Sequence, residues 1–344
     1  MKTEVLSWDL ENELALKKGA QIIRDGGLVG IPTETVYGLG ACAYNAGACL
    51  EIFKAKGRPA DNPLIVHILN PEDAEKIAIT SKLYYRLAEK FMPGPLTIIM
   101  PKRDIIPDEV TAGLDSVAVR CPVHKVARRI IELSGVPIAA PSANKSGMPS
   151  PTTAQHVYND MNGEIPLIID AGACEVGVES TVIKITEDEI ILLRPGAITV
   201  EMLREICPRV SVSSAVLQEL RAGEVALSPG MKYKHYSPKA SLYLVSDSED
   251  FIALAKDRAQ REKCAIMCYD EETDALDGLM LLPVGAREDI KEQTRRLFDL
   301  LRHADELGAQ TIYAHLPTMQ DEALALYNRM IRASAHKIIG GTNG

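Results

Sequence analysis

Short apolar segments alternate with segments of helical spacing over the first 200 residues, and this alternation limits the possible fold classes more than any other feature. Residues 10–25 have helical spacing, and the Gly26-Gly27 pair ends this helix before an apolar segment. A longer helix is predicted over residues 72–91. The apolar segments predicted as strands are residues 28–32, 64–69, 96–100, 117–120, 138–140, 167–170, 181–185 and 190–193. Because several strands follow one another without an intervening helix, we predict an α/β fold with a mixed twisted sheet.

The residue pattern changes near residue 210, which indicates a second domain. A chain of 344 residues is long for one compact core. Segment 223–240 has the Pro, Gly and Ser content of a connector, but it also carries Tyr, His and Lys residues that a passive spacer does not need. Beyond it, predicted strands (242–245, 265–269, 279–284, 311–314) and helices (249–261, 289–307, 323–338) indicate a small doubly wound, Rossmann-like α/β domain. We therefore predict domains at 1–210 and 241–344, joined by a linker at 211–240.

Composition and charge argue against several kinds of partner and location. The net charge is −9 and both halves of the chain are acidic, so non-specific nucleic-acid binding would need a local basic patch. A small phosphorylated ligand needs fewer cations than a nucleic acid does, so we favour it as the partner. No apolar run reaches about 18 residues and no leader-like segment begins the chain, which predicts neither membrane insertion nor export. The seven cysteines form no CxxC pair or zinc spacing, so we expect a reduced, cytoplasmic setting.

Residues 54–63, KAKGRPADNP, place three cations between two apolar segments. No packing requirement explains this mixture, which is suited to holding an anion. Lys54, Lys56 and Arg58 would also fit a solvated helix end, where cations favour the C-terminal turn, but this alternative explains only one or two of them. It does not explain Asn62, or His67 inside the next apolar strand, so we favour a ligand-binding interpretation.

Polar residues also follow other predicted strands at the point where each strand ends. They lie in residues 33–38 (TETVYG), 141–147 (PSANKSG) and 179–185 (ESTVIKI), and at Arg120 and Arg194. A buried polar group without a partner costs about 1–3 kcal/mol, and ligands of α/β sheets bind at strand ends, so we predict that these groups form one rim around a ligand. Taken singly, residues 33–38 could be a capping turn and Arg120 could pair with a structural carboxylate.

Known nucleotide-binding motifs are not supported. The chain has no G-x-x-x-x-G-K-[ST], which excludes a P-loop. Residues 38–43, GLGACA, match the dinucleotide fingerprint G-x-G-x-x-[GA], but the preceding TETVY is too polar for the end of a buried strand. We interpret this match as coincidental.

Motifs along most of the chain resemble those of a known family. In chain order they are IPTETVYGLG, KAKGRPADNPLIVHI, GPLTIIM, VAVRCP, PIAAPSANKSGMPSPT, GVESTVI, LLRPGAI and SPGMKYKHYSPKA. Together they resemble the YrdC/YwlC family of L-threonylcarbamoyladenylate synthases, in its longer two-domain branch. The resemblance implies a YrdC-like catalytic N-terminal domain and a smaller Rossmann-like C-terminal domain. It also implies that L-threonine, bicarbonate or CO2, and ATP are condensed into threonylcarbamoyl-AMP and pyrophosphate, for threonylcarbamoyladenosine modification of tRNA.

The resemblance assigns roles to individual residues. The family's tetrad, KxR and SxN, falls on Lys56, Arg58, Ser142 and Asn144, of which Lys56 and Arg58 would be catalytic. Threonine would contact Thr35, His67, Arg120, Ser180 and the backbone of Ala140. ATP would contact Arg58, Asn62, Ser116, Ser142, Asn144, Ser150, Arg194 and Tyr236. Mg²⁺ would accompany ATP, but we can name no protein ligand for it.

Further expectations concern the linker and the partners. The linker could close over the site as a lid through His235 and Tyr236, or it could be a surface connector. The product would pass to the tRNA threonylcarbamoyl transferase complex, with weak or no direct tRNA binding. Two alternative functions are an RNA-binding module, against which the acidic charge argues, and a carbamoyl transferase like the hydrogenase-maturation factors, whose cysteine zinc motifs and acylphosphatase segment this sequence lacks.

Overall fold

The computed structural model describes residues 2–8, 13–216, 235–320 and 322–340. The chain divides into two compact units. The larger comprises Met1–Ser146 and Ser150–Lys232, and the smaller comprises Gly147–Pro149 and Tyr233–Gly344. Most of the predicted linker, residues 217–234, lies outside the described residues, and the domain boundaries at 210 and 240 stay a prediction.

Strands of the larger unit form one mixed sheet. Within its described residues they are β1 (Glu4–Ser7), β2 (Val29–Ile31), β3 (Gly38–Cys42), β4 (Ile65–His67), β5 (Leu96–Pro101), β6 (Ser116–Arg120), β7 (Ile138–Ala139), β8 (Leu167–Asp170), β9 (Thr181–Ile185), β10 (Ile190–Arg194) and β11 (Val210–Val212). Their order is β1-β8-β2-β3-β7-β4-β6-β5-β9-β10-β11. Strand β6 pairs parallel with β4 and antiparallel with β5, so the predicted mixed α/β sheet is confirmed.

Most helices of this unit begin at a capping side chain. The helices are α1 (Leu14–Arg24), α2 (Ala46–Lys56), α3 (Lys82–Phe91), α4 (Asp108–Thr111), α5 (Lys125–Ser134), α6 (Ala154–Met161) and α7 (Val200–Arg204). Helices α1 and α4, which begin after Glu13 and Pro107, have no capping side chain. Asn45 caps α2 and Thr153 caps α6, each accepting a hydrogen bond from a backbone N–H of the first turn. Leu16 and Ile23 of α1 and Ile130 of α5 pack in one buried cluster, which also contains residues of β2 and β8.

The predicted helix over residues 72–91 is wrong, because two elements occupy this stretch. A 3₁₀ turn, Pro71–Lys76, precedes α3. Between them, Ala78 forms a β-bridge with Lys102 at the end of β5, which pulls the backbone out of a continuous helix. Ser81 then begins α3 by accepting a hydrogen bond from the Tyr84 N–H (3.2 Å).

The glycine-rich match at residues 38–43 is a strand and not a phosphate loop. Residues 38–42 form β3, which pairs antiparallel with β2 and β7. A Cβ at Gly40 would lie 2.6 Å from the Ile31 Cδ1 atom and 2.9 Å from Ile138 Cγ2. Glycine is therefore required here for packing between strands.

The smaller unit has a parallel sheet. Within its described residues the strands are β12 (Ser241–Val245), β13 (Cys264–Met267), β14 (Thr311–His315) and β15 (Ile338–Ile339), in the order β13-β14-β12-β15. The helices are α8 (Phe251–Arg261), α9 (Ile290–Glu306) and α10 (Ala323–Ala333). All strand pairs in this sheet are parallel, as the doubly wound prediction required.

Two element predictions in this unit are wrong. Residues 279–284 are not a regular strand: in the part of the chain that the structure describes, they form one isolated β-bridge with β13, between Leu281 and Ile266, and beyond it only the Val284 N–H donates back, to the Cys268 carbonyl (2.9 Å). The last helix ends at Ala333 and not at residue 338, because Ala335 and His336 adopt positive φ values of 50° and 60°. No helix in the described parts of the chain is both long and apolar enough to span a membrane.

Candidate active site

Three polar side chains lie side by side on neighbouring strands of the larger sheet. His67 of β4 is the register partner of Arg120 on β6, and Arg120 is the partner of Thr97 on β5. Register partners share one face of a sheet and adjacent strands lie about 4.8 Å apart, so this polar row extends over about 10 Å. All three residues are buried. Since polar groups are buried only at a cost, a row of them marks a site and not a core.

A buried ion pair joins this polar row to the loop after β2. Arg120 Nη2 donates to Glu34 Oε1 at 2.6 Å, and both side chains are about 95% buried, with 5% and 4% exposed. Burial raises the pKa of the Glu34 carboxyl, but the charge and hydrogen bond of Arg120 outweigh burial and hold that pKa below its usual value. The carboxylate and guanidinium are therefore both charged at neutral pH.

His67 is neutral within the polar row. Burial, together with the neighbouring Arg120 cation, lowers the pKa of His67 to about 3. Its Nδ1 atom lies 3.3 Å from the carbonyl oxygen of Ile138. A carbonyl can only accept, so Nδ1 carries the proton and Nε2 is left as a hydrogen-bond acceptor.

The loop that carries Glu34 and Thr35 is held by its own hydroxyls and by the backbone of a second loop. Thr33 Oγ1 donates to the carbonyl of Val36 (2.6 Å) and lies 2.9 Å from Thr35 Oγ1. The Val176 N–H donates to the Glu34 carbonyl (2.9 Å) and the Gly177 N–H to that of Thr35 (3.1 Å). Residues 33–36 are thus a turn fixed by Thr33, and no helix begins there.

Hydrogen bonds extend the polar row beyond β5. Ser180, which is fully buried, lies 2.7 Å from Thr97 Oγ1 through its own hydroxyl. Arg194 Nη2 donates to the same hydroxyl (3.2 Å), and Arg194 Nε donates to the Ser180 carbonyl (3.0 Å). Beside Ser180, the Ser150 hydroxyl donates to the Glu179 carboxylate. Four of the predicted contacts are thereby brought together: Arg120, Ser150, Ser180 and Arg194.

The end of α2 holds the loop after β7. Gly57, with φ +62°, ends α2 directly after Lys56. Lys56 Nζ donates to the carbonyls of Ser142 (2.5 Å) and Asn144 (2.6 Å) and lies 3.4 Å from Asn144 Oδ1. Ser142 Oγ donates to that same Oδ1 atom at 2.6 Å. The structure therefore brings Lys56, Ser142 and Asn144 into one hydrogen-bonded cluster, which we call the Lys56 cluster.

Arg58 and Asn62 lie in the loop between α2 and β4. Arg58 Nη2 donates to the Asn62 carbonyl at 2.8 Å. The Asn62 side chain is fully buried, and neither its Oδ1 nor its Nδ2 has a hydrogen-bond partner among the residues that the structure describes. A buried amide with both ends unsatisfied is suited to a ligand that offers a donor beside an acceptor.

Three predicted contacts have other positions. Ala140 is buried, and its N–H donates to the Ile65 carbonyl (2.9 Å) directly after β7. Ser116 begins β6, so it lies about 13 Å along that strand from Arg120, and the structure does not bring it to the polar row. Tyr236 belongs to the smaller unit, where it stacks on Phe298 with ring centroids 5.2 Å apart.

One residue of the polar row, Thr97, and two residues next to it, Glu34 and Glu179, were not predicted from the sequence. Glu34 and Glu179 lie inside the quoted motifs TETVYG and ESTVIKI but were not singled out. Thr97 lies in an apolar strand, LTIIMP, and carries the signal that identified His67: a polar side chain inside an apolar strand. No group of three or more His, Cys, Asp or Glu side chains suited to a metal ion occurs in the described ranges.

A mixed sheet whose strand ends gather buried cations, hydroxyls and an ion pair defines an α/β enzyme that acts on small charged substrates. Comparisons with known proteins agree. The family described as "Telomere recombination" (Sua5, YciO, YrdC) matches residues 21–196, and the one described as "Threonylcarbamoyl-AMP synthase, C-terminal domain" matches residues 198–335.

Full-length relatives make the assignment specific. A threonylcarbamoyl-AMP synthase of Pyrococcus abyssi is 42% identical, with 95% of this chain and 96% of the relative covered. One of Bacillus subtilis is 38% identical, with 98% and 100% covered. A crystal structure of P. abyssi Sua5 complexed with L-threonine superposes with a TM-score of 0.90 at 40% identity, covering 98% of this chain and 99% of that one. The chain belongs to the two-domain threonylcarbamoyl-AMP synthase family, and the resemblance inferred from its motifs is confirmed.

Proposed function

We propose that this chain condenses L-threonine, bicarbonate or CO2, and ATP into threonylcarbamoyl-AMP and pyrophosphate. The observation that carries the proposal is the juxtaposition of Arg120, His67 and Ser180 along one polar row, in a chain whose full-length relatives are threonylcarbamoyl-AMP synthases. A row of donors and acceptors about 10 Å long accommodates an amino acid and the first phosphate of a nucleotide.

Threonine binds at the polar row in this proposal. The Arg120 guanidinium offers a fork of N–H donors that suits the substrate carboxylate. His67 Nε2, Thr35 and Ser180 offer uncharged partners for the hydroxyl, with the backbone of Ala140 beside them. Because these groups are buried, an analogue without the hydroxyl would leave them unsatisfied, and the site would discriminate against it.

ATP binds against the loops that carry the remaining cations and hydroxyls. Arg58 and Arg194 would contact phosphates. The unsatisfied amide of Asn62 would accept a hydrogen bond from the nucleotide at Oδ1 and donate one to it from Nδ2. Lys56 acts chiefly by fixing the phosphate-facing loop, since its ammonium already donates to Ser142 and Asn144. Further nucleotide contacts are proposed for Ser116, Ser142, Asn144, Ser150 and Tyr236.

The reaction needs no protein nucleophile. The ammonium of bound threonine first loses a proton to solvent. The neutral amine then attacks CO2, forming an N–C bond and releasing a second proton to give a carbamate, and a carbamate oxygen attacks the α-phosphorus while the bond to pyrophosphate breaks. Arg58 stabilises negative charge on the phosphoryl group and on the departing pyrophosphate, and Lys56 supports this role by holding the loop at Ser142 and Asn144 and by its nearby positive charge. Mg²⁺ bound to ATP would neutralise phosphate charge. Because the described residues hold no acidic cluster for it, we derive no step through this ion.

The setting and partners follow from the same proposal. All seven cysteines are buried and none forms a disulfide, which fits a reducing cytoplasm. The net charge of −9 opposes strong direct binding of tRNA. The product would therefore pass to the tRNA threonylcarbamoyl transferase complex without a stable complex between this chain and tRNA.

The test is a product assay with the full chain. The purified protein is incubated with L-threonine, bicarbonate and ATP labelled at the α-phosphate, and pyrophosphate and the labelled adenylate are measured. We expect pyrophosphate release that requires threonine and bicarbonate, and a product with the mass of threonylcarbamoyl-AMP. Pyrophosphate release that is independent of threonine, or no adenylate at any threonine concentration, would reject the proposed function.

A further inference from the structure

In the buried ion pair between Glu34 and Arg120, two polar atoms have no hydrogen-bond partner among the residues that the structure describes. Only one oxygen of Glu34 pairs with Arg120. The other, Oε2, and the Arg120 Nε atom are buried and have no hydrogen-bond partner within the described ranges. Native proteins rarely leave a charged acceptor and a charged donor buried and unsatisfied, and such atoms at a substrate site commonly await a ligand.

The two leftover atoms have complementary chemistry. Arg120 Nε is a donor in a cation, and Glu34 Oε2 is an acceptor in an anion. An α-amino acid in its zwitterionic form offers the matching pair, a carboxylate acceptor next to an ammonium donor. A carboxylate or a fully ionised phosphate offers no donor for the Glu34 oxygen. The ion pair therefore fits the head group of an amino acid better than it fits an anion.

Charge balance leads to the same conclusion. Of the residues assigned to threonine, Arg120 is a cation, while His67, Thr35, Ser180 and Ala140 are uncharged or neutral at pH 7. Without Glu34, the substrate ammonium would enter a buried site next to a cation and without any anion. With Glu34 ionised, the protein groups sum to zero charge, as does the zwitterion that they would bind.

We propose that Glu34 binds the α-ammonium group of threonine through its free carboxylate oxygen and thereby selects amino acids over hydroxy acids. The inference rests on the proposed function, because it assumes that the threonine carboxylate binds Arg120. Glu34 is well suited to a fixed contact, since its loop is held by Thr33 and by the backbone N–H of Val176. A pre-positioned acceptor gains affinity without losing conformational freedom on binding.

The experiment measures binding of two ligands to the full chain by titration calorimetry. L-Threonine is compared with 3-hydroxybutanoate, which keeps the carboxylate, hydroxyl and methyl groups and lacks the amino group. The wild-type protein should bind threonine at least about tenfold more tightly than the analogue. This arm needs no variant. Equal affinities in the wild-type protein would overturn the proposal.

Glu34→Gln supplies the second arm, because glutamine keeps the shape and can still accept a hydrogen bond from Arg120. Threonine affinity should fall at least about tenfold while the affinity for 3-hydroxybutanoate does not fall, because this ligand lacks the ammonium group that Glu34 would bind. The matched control is Glu175→Gln, an exposed carboxylate in the neighbouring loop, which should change neither. An unchanged threonine affinity, or equal losses for both ligands, would overturn the proposal, the latter because Glu34 would then act only by positioning Arg120.

The two hypotheses fail in distinguishable ways. If the wild-type chain forms no threonylcarbamoyl-AMP and binds no threonine, the proposed function fails. If the wild-type chain forms the adenylate but Glu34→Gln binds threonine as well as the wild type does, only the role of Glu34 fails.

Discussion

The Lys56 ammonium fixes the loop at residues 142–144, and its removal has a cost that the structure allows us to work out. The ammonium donates to two main-chain carbonyls at 2.5 and 2.6 Å and lies near Asn144 Oδ1. Lys56→Met keeps the aliphatic stem and removes only the charged donor. Each buried carbonyl left without a partner costs about 1–3 kcal/mol, and water can reach the loop at half-buried Ser142. We therefore expect the larger unit to lose about 2–4 kcal/mol of stability.

Lys54→Met is the matched control, because Lys54 lies one half-turn away on the same helix. Its side chain is 77% exposed and forms only a surface ion pair with Glu51 at 3.2 Å. Such pairs contribute about 0.5 kcal/mol or less, so this variant should unfold almost like the wild type.

Urea unfolding measures the difference between the two variants. The chain has a single tryptophan, Trp8, which packs against the buried cluster between α1 and α5, so its fluorescence reports on the larger unit. Lys56→Met should unfold at a clearly lower urea concentration than Lys54→Met, with the same slope. Equal midpoints would refute the reasoning that the ammonium, and not the helix end, holds the loop.

Three further predictions concern single side chains. Arg58→Ala should lower threonine-dependent pyrophosphate release at least about 100-fold because a cation at the phosphates is lost, and turnover near the wild-type rate would reject this role. Thr97→Val removes the hydroxyl next to Ser180 and should raise the KM for threonine about five- to tenfold without changing that for ATP; equal changes in both would contradict the assignment. The pKa of His67 is about 3 in the folded protein and about 6.5 in the unfolded chain, so between these pH values only the unfolded chain binds this proton. As the pH falls from 6.5 towards 3, the free energy of unfolding should therefore decrease by up to about 1.4 kcal/mol per pH unit. His67→Gln should flatten this dependence in a comparison of unfolding curves between pH 4 and 7, and an unchanged slope would count against a buried neutral imidazole.

Much of the fold could be predicted because local patterns and tertiary structure agree. Apolar runs bounded by glycine or polar residues became β2, β4, β5 and β6, within one or two residues at each end. The predictions failed where a distant partner decided the outcome. Ala78 leaves the predicted helix because it pairs with Lys102, and no property of residues 72–91 alone indicates that bridge.

Many residues of the site could be predicted from the sequence, but which side chains form ion pairs and hydrogen bonds with one another could not. Arg120 at the end of a strand required a carboxylate or a ligand, and the sequence offered 47 acidic residues as partners. The register of β6 and the loop after β2 select Glu34, which is 86 residues away along the chain. Similarly, the sequence shows Thr97 only as one polar residue in an apolar strand. The register of β5 against β6, which places it next to Arg120, is known only from the structure.

The hydrogen-bond partners of Lys56 could not be predicted from the sequence. Its place in a cationic segment suggested that it faces phosphate directly, as Arg58 is expected to do. In the structure its donors point at main-chain carbonyls of Ser142 and Asn144, and carbonyls have no signature in a sequence because every residue carries one. Lys54 and Lys56 of one helix are therefore equivalent in the sequence but differ in the structure: Lys54 is exposed and pairs with Glu51, whereas Lys56 is buried and donates to the loop carbonyls. If the loop at residues 142–144 is what aligns the phosphates, a loss of activity in Lys56 variants reports on the shape of that loop as much as on the lost charge.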